Sequence, residues 1–109
     1  MIDIRGLRIG NQIFNVFGEV IEVDANVLSE LESYPGHHSI PVTIELLLKA
    51  GFVFENGMYR DGLFSIKPTH GTFEWVIYWN DKELLCEKHL AFHRLQNIVF
   101  DLAWKELKI

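Results

Sequence analysis

The sequence has little cysteine, no long apolar run and few basic residues in its first half. Cys86 is the only cysteine among 109 residues, so no disulfide bond can form within the chain and nothing indicates an oxidising compartment. No apolar run approaches the roughly 18–20 residues that cross a bilayer as a helix. The residues after the first methionine lack the basic start and small-residue cleavage site of a signal peptide. We therefore expect a soluble, cytoplasmic protein with no membrane partner.

Basic side chains are missing from a long segment of the chain. Between Arg8 and Lys49 there is no Lys or Arg, and the whole sequence carries a formal charge of −5. Affinity for nucleic acid depends largely on Lys and Arg side chains that neutralise phosphates. We therefore predict no nucleic-acid partner. The acidic half is interpreted as a solvated face that keeps the protein soluble, and a surface for a basic partner is the alternative.

Length and composition indicate one globular domain. A chain of 109 residues is long enough for one hydrophobic core and too short for two. Hydrophobic residues make up 49% and charged residues 23%, which is the composition of a globular chain rather than a disordered one. We predict a single domain, residues 1–109.

The order of local signals predicts an α+β fold that begins with a β-hairpin. Residues 12–17 and 19–23 are rich in strand formers and flank Gly18, which punctuates them. A short helix over residues 27–32 follows, and Asp24 or Asn26 is its candidate N-cap. The hairpin and this helix make up the predicted N-terminal part.

A short central helix is predicted next. Thr43 is a good N-cap, and Glu45 lies in the first turn, where the helix dipole favours a carboxylate. The helix runs from Ile44 to Ala50, and Gly51 suits the position after its end, where a positive φ is needed. Apolar residues occupy more than one face, so we expect this helix to be largely buried.

From residue 52 onward the pattern predicts an antiparallel β-meander of three or four strands. Asn56-Gly57 between two apolar runs is the strongest hairpin signal in the chain, and Asp61-Gly62 is a second turn signal. Strands are expected over residues 63–67 and 72–79, with a short one over 83–86. On the strand 72–79 one face carries Phe73, Trp75, Ile77 and Trp79. We interpret that face as core, and a stacking platform for single-stranded nucleic acid is disfavoured because few basic residues flank it.

The C-terminal segment, His89 to Lys108, is the clearest amphipathic helix of the sequence. Its apolar residues recur at the i, i+3, i+4, i+7 spacing of one helical face. Such a stripe needs a surface to cover it, so we expect the helix to pack on the sheet of the meander. The stripe contains Leu95, Ile98, Val99, Leu102, Ala103 and Leu107.

Three sequence blocks resemble a known family. They are LRIGN at residues 7–11, IPVT at 40–43 running to KAGF at 49–52, and HRLQN at 93–97. The chain is similar to a family of small uncharacterised proteins encoded by phages and genomes of the Bacteroidetes, with the usual pattern LRIGN, then IPLTEEWLLKFGF, then YVHQLQNLYFALTGEEL. The resemblance implies no activity, because none is assigned to the family. Where the family has Thr-Gly this chain has Ala103-Trp104, so we expect the helix to continue toward Leu107.

One candidate metal site follows from spacing. Cys86, His89 and His93 are three potential zinc ligands within eight residues, and on a helix His89 and His93 would share a face at i, i+4. A fourth ligand would come from His70, His37, His38 or a carboxylate. The favoured interpretation is instead a buried cysteine and two histidines at a helix start, and no cofactor is predicted.

A second candidate site lies on the C-terminal helix. His93, Gln96 and Asn97 fall on one helical face, where an imidazole and two amides could bind one ligand. The favoured alternative is that they tie the helix to backbone groups of the adjacent sheet or N-terminal hairpin.

Two functional hypotheses remain. The first is a small non-enzymatic binding or accessory protein of phage or mobile-element origin, with another protein or a second copy of the chain as partner. It depends on the small size, the acidic charge, the aromatic content and the lack of a recognised catalytic motif. The alternative is a small metal-binding domain or metal-dependent enzyme that uses Cys86, His89 and His93.

Overall fold

A computed structural model describes residues 2–33, 36–69 and 74–109 of the chain. Helices and strands are mixed, with an N-terminal hairpin, a five-stranded antiparallel meander and a C-terminal helix, so the predicted α+β class is confirmed. The elements after a short 3₁₀ helix, Ile4–Gly6, are β1 (Gln12–Phe14), β2 (Val20–Glu22), α1 (Ala25–Ser33), α2 (Ile44–Lys49), β3 (Val53–Glu55), β4 (Met58–Asp61), β5 (Phe64–Pro68), β6 (Glu74–Trp79), β7 (Lys82–Lys88) and α3 (Phe92–Ala103). In the described part of the chain, no helix has the length and apolar character needed to span a membrane.

The chain divides into two compact units. The first unit contains Met1–Pro41 and Ala91–Glu106, and the second contains Val42–Leu90 and Leu107–Ile109. The first therefore holds the hairpin, α1 and α3, and the second holds α2 and the meander. The prediction of one domain over residues 1–109 stays a prediction.

In the first unit, a small apolar core lies between the hairpin and α1. Strands β1 and β2 pair antiparallel, with Ile13 opposite Ile21. The Asp24 carboxylate accepts a hydrogen bond of 2.8 Å from the Val27 N–H, so Asp24 is the N-cap of the two predicted candidates. The buried residues of this core are Ile2, Ile13 and Val23, and Leu7, Ile21, Val27, Leu28 and Leu31 pack against them.

Helix α3 of the first unit packs against β1, and its buried face differs from the predicted stripe. Leu95 and Val99 are buried as expected, but Leu102 is 43% exposed, whereas Gln96 is fully buried. The periodicity of apolar residues placed the buried face too close to Leu102, because a single sequence does not reveal that Gln96 accepts a hydrogen bond from the Gln12 N–H on β1. The buried residues of α3 are Phe92, His93, Leu95, Gln96 and Val99. The expected packing of α3 on the meander stays a prediction.

The predicted continuation of α3 toward Leu107 is wrong. The helix ends at Ala103, and Trp104 adopts a left-handed conformation with φ 55° and ψ 28°. The Trp104 N–H donates to the carbonyl oxygen of Phe100 at 2.9 Å, which closes the last turn. A tryptophan thus takes the backbone conformation for which glycine is the usual residue.

The second unit begins with α2, whose ends follow the predicted signals. The Thr43 hydroxyl accepts from the Leu46 N–H at 3.1 Å, and Gly51 has φ 102° after the C-terminus. Leu46 and Leu47 are buried, whereas Ile44 and Leu48 are about half exposed, so the expectation of a largely buried helix is wrong.

The meander of the second unit has five strands rather than the three or four predicted, paired in the order β3-β4-β5-β6-β7. The Asn56-Gly57 turn joins β3 to β4, and both of its residues have positive φ, as a two-residue hairpin loop requires. On β6, Trp75, Val76 and Ile77 are all buried, so both faces of this strand are covered there. Trp75 and Ile77 are core, as interpreted, whereas Trp79 is only partly buried, and the prediction for Phe73 lies outside the described residues.

Candidate functional site

Polar side chains of α3 hold the helix to the N-terminal residues of the first unit. Gln96 Oε1 accepts a hydrogen bond of 2.8 Å from the Gln12 N–H on β1, and the Asn11 amide lies 3.4 Å from the same oxygen. Gln96 and Asn11 are both fully buried. An unpaired amide at this depth would cost about 1–3 kcal/mol, so this pairing fixes the rotation of α3 on the hairpin.

Asn97 has both ends of its amide engaged. Its oxygen accepts from Asn11 Nδ2 at 2.8 Å and from Arg8 Nε at 3.0 Å. Its nitrogen donates to the Gly6 carbonyl at 2.9 Å. The amides of Gln96 and Asn97 therefore make the contacts that the favoured alternative describes, with backbone groups and side chains of the N-terminal residues. Their role in binding a ligand stays a prediction.

The Arg8 guanidinium is fixed by several contacts. Besides Asn97, it donates to Glu106 Oε2 at 2.9 Å and to the Ile9 carbonyl at 3.1 Å. It also lies over the Phe100 ring, 4.2 Å from the centroid, a stacking arrangement that suits a planar guanidinium. Arg8 is thus held in one position by neighbouring residues of the first unit.

Gly10 shows why this cluster needs a glycine. Its φ is 98°, and a Cβ at this position would lie 2.9 Å from Glu106 Oε1. A side chain would both strain the backbone and displace the carboxylate that pairs with Arg8. Sequence reasoning missed Arg8, Asn11 and Glu106 as members of the site, although two of them lie in the LRIGN block at residues 7–11 that carries the family resemblance.

A polar cleft of about 360 Å³ opens beside this cluster in the first unit. It is formed by the 3₁₀ helix, the residues that follow it and one side of α3. Three of the four arginines of the chain line it. The lining residues are Arg5, Gly6, Leu7, Arg8, His93, Arg94, Asn97 and Asp101.

His93 lines the cleft and is the one predicted binding residue with an unused polar atom. Its side chain belongs to a residue only 9% exposed, and its buried Nδ1 has no hydrogen-bond partner among the described residues. Burial lowers the pKa of the imidazole, and the positive charge of Arg94 lowers that pKa further. The ring is therefore neutral at pH 7, with one nitrogen available as a donor and the other as an acceptor. Nε2 lies on the side of Gly6, where a Cβ would be 4.0 Å away.

The predicted metal ligands have other surroundings. His89 lies in a turn with φ 53° before α3 begins, so the helical i, i+4 spacing assumed for His89 and His93 is wrong. Cys86 is on β7, exposed rather than buried as interpreted, and its Sγ lies 3.2 Å from Glu74 Oε1. That hydrogen bond is the main reason why the pKa of the thiol is raised. Within residues 2–33, 36–69 and 74–109, no group of three or more His, Cys, Asp and Glu side chains could hold a metal ion, and His70 lies outside that part.

Comparisons with known proteins identify no relative of this chain. No protein-family model matches the sequence, and neither a curated protein nor a solved structure matches it. The resemblance to the phage and Bacteroidetes family stays a prediction.

Proposed function

We propose that this chain is a small non-enzymatic binding protein and that the cleft beside α3 holds its ligand. The observation that carries the proposal is the convergence of Arg5, Arg8 and Arg94 with the buried imidazole of His93 on one cleft. The Arg8 guanidinium, fixed in place by its neighbours, and the His93 imidazole at the wall of the cleft are groups that a ligand can pair with.

Binding rather than catalysis is favoured by the residue types. The described residues that line the cleft include no serine, threonine or cysteine that could act as a nucleophile. Among the described lining residues, His93 and Asp101 have side chains of types that can transfer a proton, and neither has a nucleophile beside it in the lining. Within this proposal the protein acts in the cytoplasm and has a phage or mobile-element origin.

A thermal-shift screen tests this function. The full chain is heated with separate anionic, cationic and neutral metabolites, because a compound that binds the folded state raises Tm. We expect at least one compound to raise Tm in the natural chain and in Arg60→Gln, but much less in Arg94→Gln. Arg60 is the matched control, since it is the one arginine outside the cleft lining and lies on β4 of the second unit.

The proposal fails if no compound changes Tm, or if the compounds that do so act equally on Arg94→Gln. The Tm of each variant without ligand is recorded first, so a change in stability is not mistaken for a change in binding. Ligand-induced shifts are then compared within each variant.

A second candidate function is binding of a partner protein or of a second copy of the chain. Exposed apolar side chains of the second unit support it. Six of the unit's large apolar side chains are between 42% and 62% exposed. Where exposed apolar side chains form one contiguous patch, that patch is typical of a protein interface. The six side chains are Ile44, Leu48, Val53, Phe54, Leu63 and Leu84. Sedimentation velocity over a hundredfold range of concentration tests self-association, and an unchanged monomer would remove the second copy as a partner.

A further inference from the structure

The turn that joins β1 to β2 exposes apolar side chains. Phe17 is 82% exposed in this turn, and Val16 beside it is 52% exposed. Val20, the first residue of β2, is 44% exposed and pairs with Phe14 on β1. The three exposed side chains lie within five successive residues of one turn, so they are neighbours on the surface of the first unit. We call residues 16–20 the hairpin tip.

Hydrogen bonds fix the backbone of the hairpin tip. Asn15 Oδ1 accepts from the N–H groups of Phe17 and Glu19, both at 2.9 Å. The Gly18 N–H donates to the Asn15 carbonyl at 3.0 Å, and the Asn15 N–H donates to the Glu19 carbonyl at 2.9 Å. Asn15 therefore holds the turn in one conformation while the Phe17 ring stays exposed. A surface whose backbone is already ordered loses less conformational entropy when a partner binds.

The apolar core of the first unit does not account for these side chains. Ile13 and Ile21 contribute to that core from one face of the hairpin. Phe14 and Val20 alternate with them along the strands and so lie on the other face. A single exposed apolar residue such as Phe17 needs no explanation, but three on one ordered turn form a patch of the kind found at interfaces.

The charge of this part of the chain decides which partner fits the patch. Residues 9–48 contain six of the fifteen acidic residues and none of the ten Lys and Arg residues, so they carry a formal charge of −6. The rest of the chain, with nine acidic and ten basic residues, carries a formal charge of +1. The net negative charge of the protein therefore comes from the segment that contains the hairpin tip.

Acidic side chains lie in and beside the hairpin tip. The Glu19 carboxylate accepts a hydrogen bond of 3.1 Å from Asn15 Nδ2. The Asp24 carboxylate, just after β2, accepts one of 2.8 Å from the Val27 N–H. Neither donor carries a charge, so these hydrogen bonds do not neutralise either carboxylate. Lys and Arg side chains of a partner are therefore attracted to this surface, and such charges select the partner more than they add affinity.

From this combination we propose that the hairpin tip binds a basic and apolar segment of a partner protein. The Phe17 ring packs on apolar side chains of the segment, and Lys or Arg side chains of the segment face Glu19 and Asp24. The same charge disfavours the other occupants. A nucleic acid or an anionic membrane surface is repelled, and two copies that meet tip to tip bring like charges together. The described lining residues of the cleft include no residue of the tip, so the inference goes beyond the proposed function.

A random-peptide library displayed on phage, panned against the full chain, tests this surface. We expect the selected peptides to combine a net positive charge with apolar residues. A selected peptide is then synthesised and titrated into the ¹⁵N-labelled chain, where it should shift the NMR signals of residues 16–20. Its affinity should fall as salt is added, because the attraction acts between exposed charges.

Three variants locate the binding. Phe17→Ala removes the exposed ring and should weaken the synthetic peptide at least about tenfold. Phe54→Ala is the matched control, because it removes a ring that is 59% exposed on β3 of the second unit, and it should leave the affinity unchanged. Glu19→Gln keeps the size of the side chain and removes one negative charge, so it should weaken the peptide by up to about fivefold at low salt.

Several results overturn the proposal. Selected peptides that are acidic or uncharged contradict the partner chemistry, and equal affinity for the natural chain and Phe17→Ala contradicts the surface. A library that yields no peptide dependent on Phe17 also counts against the tip as a binding surface. If sedimentation velocity shows self-association of the natural chain that Phe17→Ala abolishes, the occupant is a second copy and the proposal of a basic partner is wrong.

Discussion

Trp104 is the residue whose replacement tests most directly where α3 ends. Its φ of 55° places an L-residue in the left-handed region, which costs roughly 1–2 kcal/mol. The residue is 82% exposed, and its ring lies 5.8 Å from that of Phe100 between centroids. Glycine adopts the same conformation without the steric cost, so the backbone at this position favours glycine.

The informative comparison is between Trp104→Gly and Trp104→Ala. Both variants lose the indole and its contact with Phe100, so the difference between them reports the backbone alone. Relief of roughly 1–2 kcal/mol of strain, less about 0.5–1 kcal/mol for the greater freedom that glycine loses on folding, leaves the glycine variant more stable by up to about 1.5 kcal/mol. If α3 continued through residue 104, glycine would instead be less stable than alanine by about 1 kcal/mol.

Urea unfolding followed by circular dichroism measures this difference, provided that the two variants have equal m values. Ala103→Gly is the matched control, because Ala103 is the last residue inside the helix and glycine there should lower the free energy of unfolding. A Trp104→Gly variant that unfolds at a lower urea concentration than Trp104→Ala would refute the reasoning.

Three further predictions concern single side chains. Gln96→Leu removes the acceptor of the Gln12 N–H, so the free energy of unfolding in urea should fall by about 1–3 kcal/mol, and an unchanged value would contradict the structural role. The pKa of His93 is lower in the folded chain than in the unfolded chain, so the unfolded chain binds the proton first as the pH falls. The free energy of unfolding should therefore decrease as the pH drops below about 6.5. His93→Gln should make that decrease smaller in unfolding curves measured from pH 7 to 5. Because Glu74 raises the pKa of the Cys86 thiol, Glu74→Gln should speed the reaction of this exposed cysteine with a disulfide reagent at pH 8, and an equal rate would count against the hydrogen bond.

Elements with strong local signals were predictable from the sequence. The Thr43 cap, the positive φ of Gly51 and the Asn56-Gly57 hairpin all depend on residues within a few positions of each other. Local backbone preference decides these features, so one sequence is enough to find them. The fold class followed from their order along the chain.

Features decided by distant contacts were not predictable. The buried face of α3 is centred on Gln96, a polar residue, because its acceptor meets an N–H that lies 84 residues away on β1. A periodicity argument counts apolar residues and so shifted the face toward Leu102, which is exposed. The end of α3 was missed for a similar reason, since local propensity gives a tryptophan no signal for a left-handed cap.

The candidate site was half predictable. His93, Gln96 and Asn97 were identified from helical spacing, because residues three and four apart share a face. Their partners Arg8 and Glu106 were not, since the two are 98 residues apart and come together only in the folded first unit. Cys86 and His89 were grouped with His93 by nearness in sequence, and the turn at His89 removed the helical geometry on which that grouping depended.

The hydrogen bonds inside the first unit also restrict what the cleft can recognise. Of the three predicted binding residues, Gln96 and Asn97 have their amide groups engaged with Gln12, Asn11 and Gly6. A ligand that needs amide partners, such as a neutral nucleobase edge, would have to break these bonds and leave buried groups unpaired. The other lining groups include three guanidiniums and the imidazole of His93, which are groups that pair with oxyanions more readily than with neutral amides. The same contacts that fix α3 in place thus occupy the amide groups that a neutral ligand in the cleft would need.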